Sequence, residues 1–252
     1  MIVIKSAREI ELMKKAGAIA ASALKLAGKM IAPGVNTMDI DKAVKKYIES
    51  RGAKPSFLNY NGYPASCCIS VNNVVIHGIP SKKQFLKEGD IVSVDVGAHY
   101  KGYHGDCANT FACGNISEEA KSLIETTRQS FWEGMKFAKD GYRVGDVGYA
   151  VEEYCRQRGY GVVYEFTGHG VGAKLHEDPS VPNLGPAGHG PRLRKGMTIA
   201  VEPMINQGCD EVDILDDGWT TVTADGKLAA HYENTVLITD AEPIILTVAD
   251  ED

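Results

Sequence analysis

Shifted by 107 positions, the chain lies on itself. Gly34, Asp39, Ala43, Val44, Tyr47, Arg51 and Gly52 then fall on Gly141, Asp146, Ala150, Val151, Tyr154, Arg158 and Gly159. Seven identities within 19 positions compare with about one expected by chance, so the chain carries an internal duplication. The same offset continues without a gap, placing Gly89 on Gly196, Val94 on Val201 and Asp95 on Glu202. The expected fold is therefore two α/β halves related by a pseudo-twofold axis. Each half delivers a carboxylate from an equivalent strand, a pattern that core packing does not explain.

The stretch around the first of those carboxylates sharpens the point. Ile91-Val92-Ser93-Val94-Asp95-Val96-Gly97 reads as a strand with valine at alternate positions, which turns Asp95 toward an interior. After a polar bend, Gly102 to Phe111 reads as the return strand of a hairpin and carries Asp106. A single buried aspartate is usually a hydrogen-bonded structural residue. Two in one hairpin repel each other, and an unpaired buried carboxylate costs several kcal/mol. A metal ion between them resolves both problems.

In chain order, Ser6-Ala7-Arg8-Glu9 is a capping box that predicts a helix to about Met30. A second helix is expected from about Asp39 to Arg51, and a loop over 55–66. Short strands at Cys68–Val71 and Val74–His77 flank an Asn72-Asn73 turn. Helices are expected from Ser117 to about Ala138 and from Val144 to Arg158. Strands at Gly161–Phe166 and Met197–Glu202 enclose a Gly/His loop. A last hairpin around Asp225-Gly226 leads into His231–Ile238. We expect one domain over 1–252, with halves of about 6–111 and 117–239.

The second half adds the nitrogen donor. His169 lies between Gly168 and Gly170, which let the backbone approach closely and leave an imidazole accessible, and His176 follows seven residues on. Glu233 adds one more acid in a β-branched run. Asp95, Asp106, Glu202 and Glu233 carry four negative charges, which two divalent cations would neutralise, and His169 completes the set. Oxygen-rich ligation with one imidazole suits Mn, Fe, Co or Zn. His99, His104, His189 and His231 read as turn or supporting residues, with His104 a candidate support for Asp106.

Other classes fit poorly. A net charge of -6 argues against DNA or RNA as the main partner. No apolar run is long enough for a membrane span. The six cysteines are irregularly spaced and read as free thiols of a reducing cytoplasm, and Met-Ile-Val-Ile-Lys is no signal peptide. His176-Glu177 lacks a second histidine four residues on, and there is no phosphate-binding loop or serine elbow.

Asp95 and Asp106 in their hairpin, Gly168-His169-Gly170 with His176, Ile199-Ala200-Val201-Glu202-Pro203-Met204 and Tyr232-Glu233-Asn234-Thr235 resemble the type I methionine aminopeptidases of the short bacterial style. The likeness runs from about Ser6 to Thr239. It implies the duplicated "pita-bread" α/β (α+β) fold with a central antiparallel sheet, and removal of an initiator methionine when the second residue is small. It also implies that Asp95 holds one ion, Asp106 and Glu233 bridge two, and His169 and Glu202 complete the second. His77 and His176 would contact substrate, Glu202 would carry a proton, and Phe57, Tyr60, Tyr63, Cys68 and Trp219 would hold the methionine side chain. Its partners would be N-terminal Met peptides and nascent chains, with transient ribosome contact and a monomeric state. Asn61, Leu175 and Phe57 depart from the residues common in that family, at the pocket rim.

Three other readings share parts of this pattern: a proline-directed peptidase of the same fold, a binding protein that has lost catalysis, and a dinuclear phosphoesterase. The first usually carries an extra N-terminal domain. The second would lack some of the five ligands, all of which are intact here. The third needs basic residues near the acids, and none accompanies Asp95, Asp106 or Glu233.

Overall fold

The computed structural model describes residues 1–250. Helix α1 (Ala7–Met30) starts at the capping box: the Ser6 hydroxyl accepts from Glu9 N, and the Glu9 carboxylate accepts from Ser6 N. Helix α2 (Thr37–Ser50) follows, capped by Asn36 two residues ahead of the expected start. Strands β1 (Lys54–Pro55), β2 (Cys68–Val71), β3 (Val74–Ile76), β4 (Ile91–Tyr100) and β5 (Tyr103–Ala112) complete the first half. The second half holds α3 (Glu118–Met135), α4 (Val144–Arg156), β6 (Gly161–Val162), β7 (Gly168–Gly170), β8 (Glu177–Val181), β9 (Thr198–Val201) and β10 (Met204–Asn206). The chain then forms β11 (Val212–Ile214), β12 (Thr221–Thr223), β13 (Ala229–His231), β14 (Glu233–Leu237) and β15 (Ile244–Ile245).

The duplication is visible in hydrogen-bond register. Lys54 pairs with His99 and Pro55 with Ala98, and 107 positions on Gly161 pairs with Asn206 and Val162 with Ile205. The isolated bridge Asn36–Phe85 at the start of α2 returns as Arg143–Arg192 at the start of α4. Gly34 N donates to Leu86 O and Gly141 N to Leu193 O.

A nine-stranded sheet runs through both halves in the order β1-β4-β5-β14-β9-β7-β8, with β2 also on β4 and β15 on β14. Its pairings are antiparallel. The halves join at β5 and β14, whose ladder is short: Glu233 opposite Ala108 and Asn234 opposite Cys107. At either end a threonine hydroxyl replaces the missing main-chain bonds. Thr235 Oγ1 accepts from Asp106 N and donates to Asp106 O, while Thr110 Oγ1 accepts from His231 N and donates to His231 O. The seam is thus opened, yet the N–H and C=O of Asp106 and of His231 keep partners.

Helix α1 lies on the β4–β5 hairpin through small residues. Ala16, Ala20, Ala23 and Ala27 are fully buried, and a Cβ on Gly105 would sit 2.5 Å from Gly17 Cα. That close approach sets the height of the helix over the strand carrying Asp106.

Several expectations are corrected. The polar bend expected after Gly97 is strand: β4 runs to Tyr100 and the turn is only Lys101-Gly102, both at positive φ (47° and 91°), as a two-residue hairpin requires. β2 and β3 flank their turn but join different sheets, β2 pairing with β4 and β3 with β12. The Gly/His loop is strand β7 at Gly168–Gly170, and the strand expected over 161–166 ends at Val162. The strand ending at Glu202 stops at Val201, because Pro203 has no N–H for the ladder; its counterpart β4 continues unbroken. The Asp225-Gly226 turn joins β12 and β13, which pair with other strands and not with each other.

Candidate metal centre

The five expected donors come from five consecutive strands of the sheet: Asp95 from β4, Asp106 from β5, Glu233 from β14, Glu202 at the end of β9, and His169 from β7. All five line one cavity of about 250 Å³. β7 fits there because its flanking residues have no side chains. A Cβ on Gly168 would meet Ala200 O at 2.4 Å, and one on Gly170 would meet Asp178 O at 2.3 Å. Glycine on both sides lets β7 lie between β8 and β9 with His169 as its one side chain.

The opposite wall is apolar. Phe57, Tyr63, Cys68 and Leu175 are buried there in a cluster separate from the main cores, with Tyr60 and Trp219 packed against it. Tyr63 donates to Cys67 O and Gly78 O, and its ring meets Trp219 edge-on at 5.1 Å. Trp219 lies in the turn between β11 and β12 and is held by Asp217, whose carboxylate accepts from Trp219 N and Thr220 N. Asn61, at the rim, takes a positive φ of 49°, a conformation asparagine tolerates better than most residues.

His77 and His176 complete the lining. His77 is held at a φ of 58°, strained for a residue with a Cβ, between Phe166 at 5.5 Å and Trp219 at 6.0 Å. Such strain persists where surrounding structure enforces it, commonly at functional sites. His176 Nδ1 lies 2.8 Å from Tyr60 Oη, and its ring centroid is 4.1 Å from that of His169.

The electrostatics call for a cation. Asp106 and Glu233 are 3% and 2% exposed. Asp95 Oδ1, Asp106 Oδ1 and Glu233 Oε1 are enclosed without a hydrogen-bond partner. Burial pushes Asp106 up to about 7. Burial, reinforced by the neighbouring carboxylates, drives Asp95, Glu202 and Glu233 well above the ordinary carboxylate range. Burial lowers His169 to about 3, so its imidazole is neutral.

His169 supplies the test of fit. Its Nδ1 lies 2.9 Å from Gly170 O, and a carbonyl only accepts, so Nδ1 carries the proton and Nε2 presents a lone pair. That lone pair faces Glu202 Oε1 at 3.5 Å and Asp106 Oδ2 at 3.8 Å. Lone pair against ionised carboxylates is repulsive unless a proton or a metal ion lies among them, and this tautomer is the one that ligates metals. The ligand atoms of Asp106, His169 and Glu233 lie within 4.8 Å of one another, as do those of Glu202, His231 and Glu233.

His231, read from the sequence only as a turn or supporting residue, lies beside the acids. It is 2% exposed, with Nε2 3.7 Å from Glu202 Oε2. The signal was the period of two in the last strands, which puts His231, Glu233 and Thr235 on one side. His104, a candidate support for Asp106, has other partners: its Nδ1 meets Ser56 Oγ at 2.9 Å and its ring stacks on His99. Across the hairpin His104 pairs with His99.

Comparison with known proteins adds four findings. The model of metallopeptidase family M24 matches residues 11–240. A methionine aminopeptidase of Clostridium perfringens is 50% identical over 98% of this chain and 99% of its own. The crystal structure of a methionine aminopeptidase from Thermotoga maritima superposes with a TM-score of 0.96 at 46% identity, covering 98% of this chain and 99% of that one. A prolidase from Pyrococcus furiosus shares the fold less closely, with a TM-score of 0.79 at 25% identity, and this chain covers 66% of it.

Proposed function

The chain belongs to the methionine aminopeptidases of metallopeptidase family M24, and from that premise we propose that it removes an N-terminal methionine when the next residue is small, using two divalent ions. The observation that carries this is the single cavity in which an acidic wall with a lone-pair imidazole faces an apolar recess of Phe57, Tyr63, Cys68 and Trp219. We read residues 1–252 as one domain, in keeping with the sheet that continues across both halves.

In this reading Asp95, Asp106, His169, Glu202 and Glu233 would hold the ions. Mn, Fe, Co and Zn all suit such donors. Bound there, the ions would supply Lewis acidity toward the scissile carbonyl and toward a water. The rest falls to the chain. The recess takes the methionine side chain, whose thioether packs well against aromatic edges. Tyr60 holds His176 Nδ1, leaving Nε2 to stabilise the oxyanion that develops on the carbonyl, with His77 beside it. Glu202 carries a proton to the departing amine.

Nascent chains reached through transient ribosome contact, a cytoplasmic location and a monomeric state belong to the same proposal. Among the described residues no helix is long and apolar enough to cross a membrane. All six cysteines are free thiols, as a reducing compartment requires.

Metal-stripped protein, reloaded with Mn or Co, tests the specificity on Met-Ala-Ser, Met-Ile-Ser and Ala-Pro-Ser. Metal-dependent cleavage of Met-Ala-Ser alone is the expected result. Preferential cleavage of Ala-Pro-Ser would instead assign the chain to proline-directed work.

A further inference from the structure

His231 is held as firmly as the expected ligands. Its main chain is tied at both N and O to Thr110 Oγ1, and it pairs with Met204 two residues beyond Glu202. Its ring is enclosed, yet Nε2 has no hydrogen-bond partner. The two oxygens of Glu202 divide between two imidazoles: Oε1 lies 3.5 Å from His169 Nε2, and Oε2 lies 3.7 Å from His231 Nε2.

The two rings are not equivalent. His169 shares its side of Glu202 with Asp106, and its protonated Nδ1 turns a lone pair toward the acids. His231 is on the other oxygen, where a buried carboxylate is the nearest acceptor for a buried N–H. We infer that His231 is a positioning residue for Glu202: it donates Nε2–H to Oε2, so that Oε1 is the oxygen turned to the ion beside His169. Ligating carboxylates are commonly held by such outer hydrogen bonds, and losing one costs roughly 10- to 100-fold in metal affinity or activity. The 3.7 Å separation is longer than a hydrogen bond, so the assignment requires the pair to close to about 3 Å.

This inference rests on the metal reading above, and one experiment separates the two. In Co-loaded protein, the ring N–H of each ligating imidazole shifts far downfield in the proton NMR spectrum. One such resonance, lost in His169→Ala and kept in His231→Gln, is the expected result. Two resonances, one of them lost in His231→Gln, would make His231 a ligand and overturn the inference while leaving the metal reading intact. None would remove the metal reading and the inference together. Titration with Mn supplies the second arm. His231→Leu should weaken binding roughly 10- to 100-fold, and His231→Gln, whose amide N–H reaches the same oxygen, should restore most of it. Wild-type affinity in His231→Leu would overturn the inference.

Discussion

Tyr60 Oη lies 2.8 Å from His176 Nδ1, so a residue of the apolar wall fixes the ring that faces the acids. Burial raises the Tyr60 pKa, which keeps the hydroxyl protonated and able to donate. With the hydroxyl donating to Nδ1, Nε2 is the protonated nitrogen. His176→Ala should lower kcat roughly 100-fold with metal content unchanged. Tyr60→Phe keeps the wall but frees the ring, and should lower kcat by about 10-fold with little effect on KM. Steady-state kinetics with metal analysis checks both; an equal loss of metal in His176→Ala would refute its role.

Protons compete with the ions for the same oxygens. Asp106, raised by burial from 3.8 to about 7, holds a proton at pH 6 in metal-free protein and must release it on binding. Metal affinity should therefore rise as pH increases from about 5 to about 7. Calorimetry at pH 6 in buffers of different ionisation enthalpy should show net proton release. Affinity independent of pH over that window would contradict the prediction.

Lys5 Nζ lies 2.6 Å from Glu177 Oε2, with both side chains buried at 2% and 9% exposure. The pair ties the N-terminal segment to the residue after His176, and Glu177 Oε1 also accepts from Lys174 N. Glu177→Ala would leave a buried ammonium unpaired, at a cost of about 3–5 kcal/mol. Urea denaturation measures it, and a loss below about 1 kcal/mol would show that the ammonium finds another partner.

Gly105→Ala inserts a methyl 2.5 Å from Gly17 Cα and Gly17 N, both main-chain atoms that cannot step aside. The expected destabilisation is about 3 kcal/mol, read as a lower Tm. Activity per folded molecule should also fall, because α1 then lifts from the strand that carries Asp106.

The duplication and the acids were legible because symmetry and burial leave marks in single residues. Asp95 among valines and its partner Glu202 one repeat later needed no coordinates. The helices were legible through caps such as Ser6 with Glu9. Strand β7 was not, since Gly-His-Gly carries no β-propensity and is strand only because its neighbours close on it. The partners of β2, β3, β12 and β13 were hidden because short strands around tight turns do not state which sheet they join. His231 read only as a turn or supporting residue, and the position of Glu202 across the sheet gives it a particular task.

Anomalous diffraction from a crystal soaked in Mn tests directly whether the acids and His169 form a metal centre. Two peaks within the cavity, one beside Asp95 and one beside His169 and Glu202, with Asp106 and Glu233 reaching both, are predicted. A cavity without anomalous signal at saturating Mn, or ions bound only at the surface, would contradict the account.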